Sequence, residues 1–152
     1  MVEKTRVASV GTKILYELKP LRIHLDSRGY LIPIREAIDG EIGNIYVTSA
    51  IRGAVKAWHC HSKQTDRLVC VGGRALVGVA FDDGEHVTLE KIALDERVPQ
   101  ILIIPPGVYH GFISLTRETV LLNVTDRLYD PNDEHRLDWD AFGAEFWSPD
   151  RR

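Results

Sequence analysis

Ten short β-prone runs, each closed off by Gly, Pro, Asp or Asn, succeed one another between Leu21 and Thr125, and they limit the possible folds severely. The runs are Leu21–Leu25, Tyr30–Ile34, Gly43–Ser49, Ala54–His59, Arg67–Val71, Ala75–Phe81, His86–Ile92, Gln100–Ile104, His110–Ser114 and Thr119–Thr125. Turn signals such as Asp82-Asp83-Gly84 fall between them. Strands at this spacing form a sandwich or a closed barrel rather than alternating α/β units. Closure also removes the unpaired edges that so many short strands would leave. Before residue 130 the one helix candidate lies within residues 6–18. From Tyr129 the chain reads YDPNDEHRLDWDAFGAEFWSPDRR, rich in Asp and aromatics. This tail is expected to wrap the barrel as loop and one short helical turn, anchored by Trp139, Phe142, Phe146 and Trp147. The expectation is one all-β domain over residues 1–152, a jelly-roll barrel with its core at about 20–128 and a tail at 129–152.

Composition removes several classes of function. A formal net charge of −3 offers no electrostatic footprint for nucleic acid or an anionic membrane. The longest apolar run, Ile101 to Ile104, is far too short to span a bilayer, and the N-terminal Met-Val-Glu-Lys-Thr-Arg has no apolar leader. Cys60 and Cys70 make neither a disulfide framework nor a zinc set, and fit reduced thiols in a cytoplasmic protein.

The chemistry-bearing residues cluster in two segments. His59 and His61 stand two apart, so on a strand both project to the same face. Asp66, five residues on, can return toward them from the start of the next strand. Downstream, Pro105-Pro106-Gly107-Val108-Tyr109-His110 ends one strand and opens another with a further histidine. Three imidazoles and a carboxylate are plausible ligands for Fe(II), Mn, Ni or Zn. The same groups also suit a metal-free acid/base site, and spacing alone does not choose.

These segments resemble the paired motifs of the cupin superfamily. Gly53, His59, His61, Asp66 and Gly73 fit G-x5-H-x-H-x4-E-x6-G at every spacing, with Asp66 in place of Glu. Pro105, Gly107 and His110 fit P-x-G-x2-H, with Ser114 where Asn is usual. The resemblance implies a double-stranded β-helix and leaves the chemistry open. Three further segments are similar to the dTDP-4-dehydrorhamnose 3,5-epimerase family: Asp26-Ser27-Arg28-Gly29-Tyr30, Lys56-Ala57-Trp58-His59, and Tyr129-Asp130-Pro131-Asn132-Asp133-Glu134-His135. That resemblance implies His59 as catalytic base and Tyr129 as catalytic acid. It assigns Arg28 and Tyr30 to the nucleotide diphosphate. Lys56, His61, Lys63, Asp66 and His110 are expected to contact substrate.

The implied reaction explains those residue types. A 4-keto group acidifies the hexose protons at C3 and C5. Imidazole can remove one, and a phenol can return one to the opposite face. A cation or hydrogen-bond donor must hold the enolate oxygen. The family's lysine for that task falls at Asp66, its phosphate-binding arginine at Lys56, and its common glutamine at His61. The family's C-terminal aspartate, partner of the base, has only Asp138 or Asp140 as substitutes. The first reading is therefore a cofactor-free epimerase or isomerase of a nucleotide-linked 4-keto-6-deoxy sugar, working as a homodimer. The others are a divalent-metal enzyme built on His59, His61, Asp66 and His110, and a non-catalytic small-molecule-binding cupin.

Overall fold

Alternating faces along each strand set the layers of the fold. The computed structural model describes residues 4–150. Its strands are β1 (Arg6–Val10), β2 (Lys13–Pro20), β3 (His24–Asp26), β4 (Gly29–Leu31), β5 (Asn44–Ile51), β6 (Val55–His61) and β7 (Asp66–Gly72). They continue with β8 (Arg74–Asp82), β9 (Val87–Asp95), β10 (Gln100–Ile104), β11 (Tyr109–Ser114), β12 (Glu118–Thr125) and β13 (Glu134–Arg136). Single 3-10 turns lie at Arg35–Ala37, Pro131–Asp133 and Ala144–Trp147. A six-stranded sheet runs β1-β2-β10-β7-β12-β5, a five-stranded sheet β13-β6-β11-β8-β9, and β3–β4 form a separate hairpin. All these strands pair antiparallel. The two large sheets make the expected jelly-roll barrel.

The core lies between the sheets. Leu15, Leu18, Leu68, Leu102, Ile104 and Leu121 of the first meet Val77, Val79, Ile92, Leu94 and Phe112 of the second. Outside the first sheet, residues 32–38 cover Val69, Ile101 and Val124 with Ile32, Ile34, Ala37 and Ile38. Outside the second, the tail seats Phe142, Phe146 and Trp147 against Trp58 and Ala80. One strand thus serves both faces: Trp58 of β6 points out into the tail while His59 points in.

Three expectations are corrected. Residues 6–18 form no helix but the β1–β2 hairpin, turned at Gly11 with its positive φ of 58°. Val7, Val10, Ile14 and Leu18 satisfy helical spacing, yet pairing with β10 makes β2 part of the first sheet, so the barrel begins well before residue 20. The tail is more ordered than loop, because β13 joins the second sheet along β6. Trp139 anchors through its backbone carbonyl, which accepts from the indoles of Trp58 at 3.1 Å and Trp147 at 2.8 Å, while its own ring is exposed. Among the described residues no helix is long and apolar enough to cross a membrane.

Gly78 shows how tightly the tail is seated. A Cβ there would lie 2.5 Å from Phe146, 2.8 Å from Trp58 and 2.9 Å from Trp147. Overpacking of this kind costs about 1–3 kcal/mol. Gly78→Ala is expected to lower unfolding stability by that amount in a urea titration, and an unchanged midpoint would refute the seating.

Candidate active site

The β6–β11 pairing puts His59 directly opposite His110, with ring centroids 4.4 Å apart. A register shift follows, and Gly111 accommodates it, since a Cβ there would lie 2.3 Å from the Ala57 Cβ. Asp66 arrives from the other sheet at the start of β7. Its Oδ2 accepts from His110 Nε2 at 2.6 Å and lies 3.6 Å from His61 Nε2, while Oδ1 accepts from the Gln64 amide at 2.7 Å. His110 Nδ1 faces the Val108 carbonyl at 3.0 Å. Both nitrogens of that ring face oxygens that can only accept, so both donate, and the ring is an imidazolium paired with Asp66. Burial alone would raise the Asp66 carboxyl, but the His110 hydrogen bond and charge, with Gln64 and His61, hold it well below the usual carboxylate range.

His59 takes the opposite state. Burial first, then the neighbouring positive charge of His110, push its imidazole well below the usual range, against the pull of Asp66. Among the described residues neither ring nitrogen of His59 has a hydrogen-bond partner. It is a neutral base facing open space. Neither Asp138 nor Asp140 bonds to it. The carboxylate expected from the tail is replaced by Asp66, acting on His110.

His61 is held from behind. Its Nδ1 donates to the Asp133 carbonyl at 3.0 Å, which leaves Nε2 turned toward Gln64 and Asp66. The Asp133 carboxylate accepts the backbone N–H groups of Ser62, Lys63 and Gln64 at 2.9, 3.1 and 3.2 Å. Burial works to raise that carboxyl, and the three N–H bonds bring it below its ordinary value.

The base opens into a cavity of about 950 Å³, lined by Tyr46, Lys56, His59, His61, Tyr129 and Trp139 among others. Behind it, a chamber of about 90 Å³ is bounded by Tyr46, His59, Asp66, His110 and Asn123. Tyr129, exposed at the mouth, donates to Glu134 Oε2 at 3.3 Å. Lys56 also lines both spaces, with Nζ donating to Thr48 Oγ1 at 3.2 Å. Sequence reasoning therefore placed His59, His61, Asp66, His110, Lys56 and Tyr129 at one site. Lys63 contributes its backbone to the Asp133 clamp and does not line the cavity. Arg28 and Tyr30 lie apart on the β3–β4 hairpin, Arg28 donating to Asp26 at 2.6 Å, and do not meet their own chain's cavity. Tyr46, Asn123 and Arg136 were missed, and Glu134 stood in the Tyr129–His135 segment without a role. Glu134 and Arg136 stand two apart on β13, a signal readable only once that strand is recognised.

A metal has fewer ligands here than the sequence suggested. Among the described residues only His59, Asp66 and His110 offer donor atoms within 4.8 Å of one another, without His61. Two of the three are already joined by a proton at 2.6 Å. A metal held by these three groups would take the place of the His110 Nε2 proton, as imidazole ligation generally requires.

The family model described as "FdtA: WxcM-like, C-terminal" matches residues 15–146. The chain belongs to this family. The match covers both sheets apart from β1 and the start of β2, with the three histidines and the tail through Phe146. The "Probable low-salt glycan biosynthesis epimerase Agl13" of Haloferax volcanii is 32% identical over 137 residues, covering 82% of this chain and 86% of that protein. Among solved structures, a dTDP sugar isomerase from Desulfovibrio desulfuricans G20 aligns with TM-score 0.73 and 25% identity, over 83% of this chain and 85% of that one. NovW, a 4-keto-6-deoxy sugar epimerase from Streptomyces spheroides, aligns with TM-score 0.79 and 21% identity over 98% of this chain and 82% of its own. The WxcM-like chain thus shares its fold with NovW from the β1–β2 hairpin to the tail.

The clamp on residues 62–64 yields a direct test. Asp133→Ala leaves three backbone N–H groups without their acceptor and is expected to cost about 1–3 kcal/mol at pH 7. The folded carboxyl titrates below its unfolded value, so its stabilisation is present above that value and is lost as pH falls through the folded one. The gap between wild type and variant in urea unfolding should therefore close on acidification. A gap that is independent of pH would contradict the clamp.

Proposed function

We propose that this chain is an epimerase or isomerase of a dTDP-linked 4-keto-6-deoxy sugar, serving deoxysugar or polysaccharide biosynthesis. The observation that carries the reading is a neutral, unpartnered His59 sharing one cavity with the Tyr129 phenol. Membership of the WxcM-like family and the likeness to a glycan-biosynthesis epimerase and a dTDP sugar isomerase support it. The cavity volume lies in the range that binds small molecules and cofactors.

His59 removes the proton from the carbon beside the keto group, and the C–H electron pair forms the enolate. Tyr129 returns a proton to the other face, and Glu134 at its hydroxyl orients it. Lys56 at the cavity wall suits a diphosphate oxygen as a point charge, without the paired contacts of an arginine. Proton transfer of this kind needs no redox group, and the proposed reaction runs without metal. Cys60 and Cys70, both free and buried, are compatible with a reducing cytoplasm.

We further propose a homodimer. β5 is an edge strand whose outer face shows Ile45, Val47 and Ile51, the last 71% exposed, and the β3–β4 hairpin exposes Leu25, Tyr30 and Leu31. An apolar edge of this kind pairs readily with another strand. Pairing of two copies across these surfaces carries Arg28 and Tyr30 toward the second copy's cavity, where they meet the nucleotide.

Incubation with dTDP-4-keto-6-deoxyglucose in D2O, followed by proton NMR, is expected to show exchange at C3 or C5 that survives chelation. His59→Ala should abolish it, and Tyr129→Phe should slow it about 10²–10⁴-fold, while dTDP affinity stays near wild type. Exchange retained in His59→Ala rules out the base; binding without any exchange favours a non-catalytic cupin; chelator-sensitive turnover favours the metal enzyme. Light scattering at micromolar concentration is expected to give twice the chain mass, and Ile51→Lys about half of that. A monomeric wild type would remove the proposed pairing.

A further inference from the structure

The position that supplies a lysine in the resembled epimerases is Asp66 here, so the enolate oxygen needs another donor. We propose that the Tyr46 hydroxyl is that donor and that Asn123 is the positioning residue that aims it; the assignment rests on the reaction proposed above.

Asn123 is fully buried on β12, directly across the ladder from Tyr46 on β5. Its Oδ1 accepts the Arg67 backbone N–H at 3.0 Å. That bond fixes which way round the amide sits, and so Nδ2 is the atom that faces the Tyr46 hydroxyl at 2.6 Å. An amide NH2 donates and cannot accept. The Tyr46 oxygen is therefore the acceptor, and the hydroxyl proton is left for something else. Among the described residues no protein group takes it.

The space available to that proton is the reaction space. Tyr46 lines both the large cavity and the inner chamber, and in each it shares the wall with His59. The alternation of β5 aims Tyr46 inward and Ile45 and Val47 outward. Tyr46 keeps its proton at any working pH: burial, then the negative charges of Asp66 and Glu134, push it up to about 12 against the Asn123 donation. Lys56, a cation that lines both spaces, has its ammonium engaged by Thr48.

In the step itself His59 accepts the α-proton, the C–H pair becomes the new C=C bond, and the carbonyl π pair moves to oxygen. Tyr46 donates a hydrogen bond to that oxygen and keeps its proton. Reprotonation at carbon restores the ketone, so no electron or co-reactant is consumed. A preorganised donor of this kind contributes about 10²–10³-fold to turnover.

Two variants test the arrangement in the D2O assay. Tyr46→Phe is expected to lower kcat about 10²-fold with KM nearly unchanged. Asn123→Asp keeps an acceptor for the Arg67 N–H but replaces the NH2 with a second acceptor, to which Tyr46 turns its proton. It is expected to lower kcat by a similar factor although the phenol is intact, and the double variant should be no worse than either single one. A simple packing role predicts additive losses. Melting curves and dTDP affinity on the same batches report folding, and should Tyr46→Phe unfold, Asn123→Asp carries the test. Exchange at the wild-type rate in either folded variant overturns this inference alone. A loss confined to KM does so too, whereas no exchange by the unmodified protein overturns the parent reading and this one together.

Discussion

Asp66 stands on the first sheet and His110 on the second, and their 2.6 Å hydrogen bond joins the two walls of the barrel. A buried ion pair of this sort stabilises little by itself, but removing one partner leaves a costly uncompensated charge. Its larger consequence is electrostatic. Because the Val108 carbonyl holds the far side of the ring, His110 keeps both protons, and its charge sits against His59. The base is kept neutral by its neighbour. Exchanging Asp66 for a neutral side chain would remove the reason for His110 to be charged, and with it much of the pressure on His59.

The tail couples this site to the stability of the fold. β13 extends the second sheet along β6, setting Arg136 against His59 and Glu134 against His61. Immediately beyond, Leu137 exchanges backbone hydrogen bonds with Trp58. The outer aromatic cluster then clamps the strand from behind, with two indole N–H groups sharing the Trp139 carbonyl. Chain past residue 129 is thus simultaneously the last strand of a sheet, the cover of its outer face and the wall of the cavity.

Much of this was legible beforehand, for physical reasons. The two-residue period of a strand forces His59 and His61 to one face, and a short turn forces Asp66 back toward them. The ten expected runs lie in or overlap strands because turn residues mark their ends. Residues 6–18 misled because Val7, Val10, Ile14 and Leu18 fall at helical spacing, and it is pairing with β10 that makes the segment part of a sheet. β13 was hidden because three residues carry no period. Arg28 and Tyr30 were expected at the site from their segment, but a segment does not fix where its hairpin lies, and the structure sets it apart from its own chain's cavity. Tyr46 was invisible for another reason: its role comes from the amide orientation of Asn123, set by Arg67, and no spacing rule encodes that chain of contacts.

The exchange of a lysine for a neutral phenol is consistent with the charges already present. The site holds an imidazolium at His110 and a carboxylate at Asp66, a pair that adds little net field at a distance. An ammonium beside them would raise the local positive potential and drive His59 still further from the proton-accepting range that catalysis needs. A carboxylate would repel the enolate outright. A phenol that has surrendered its oxygen lone pair to Asn123 and kept its proton supplies a directed dipole with no net charge. It can therefore stabilise oxygen as charge builds there while leaving the resting basicity of His59 to be set by His110 and Asp66. The barrel's two sheets thus divide the chemistry, the first supplying the carboxylate and the hydrogen-bond donor, the second the base and the charged imidazole that tunes it.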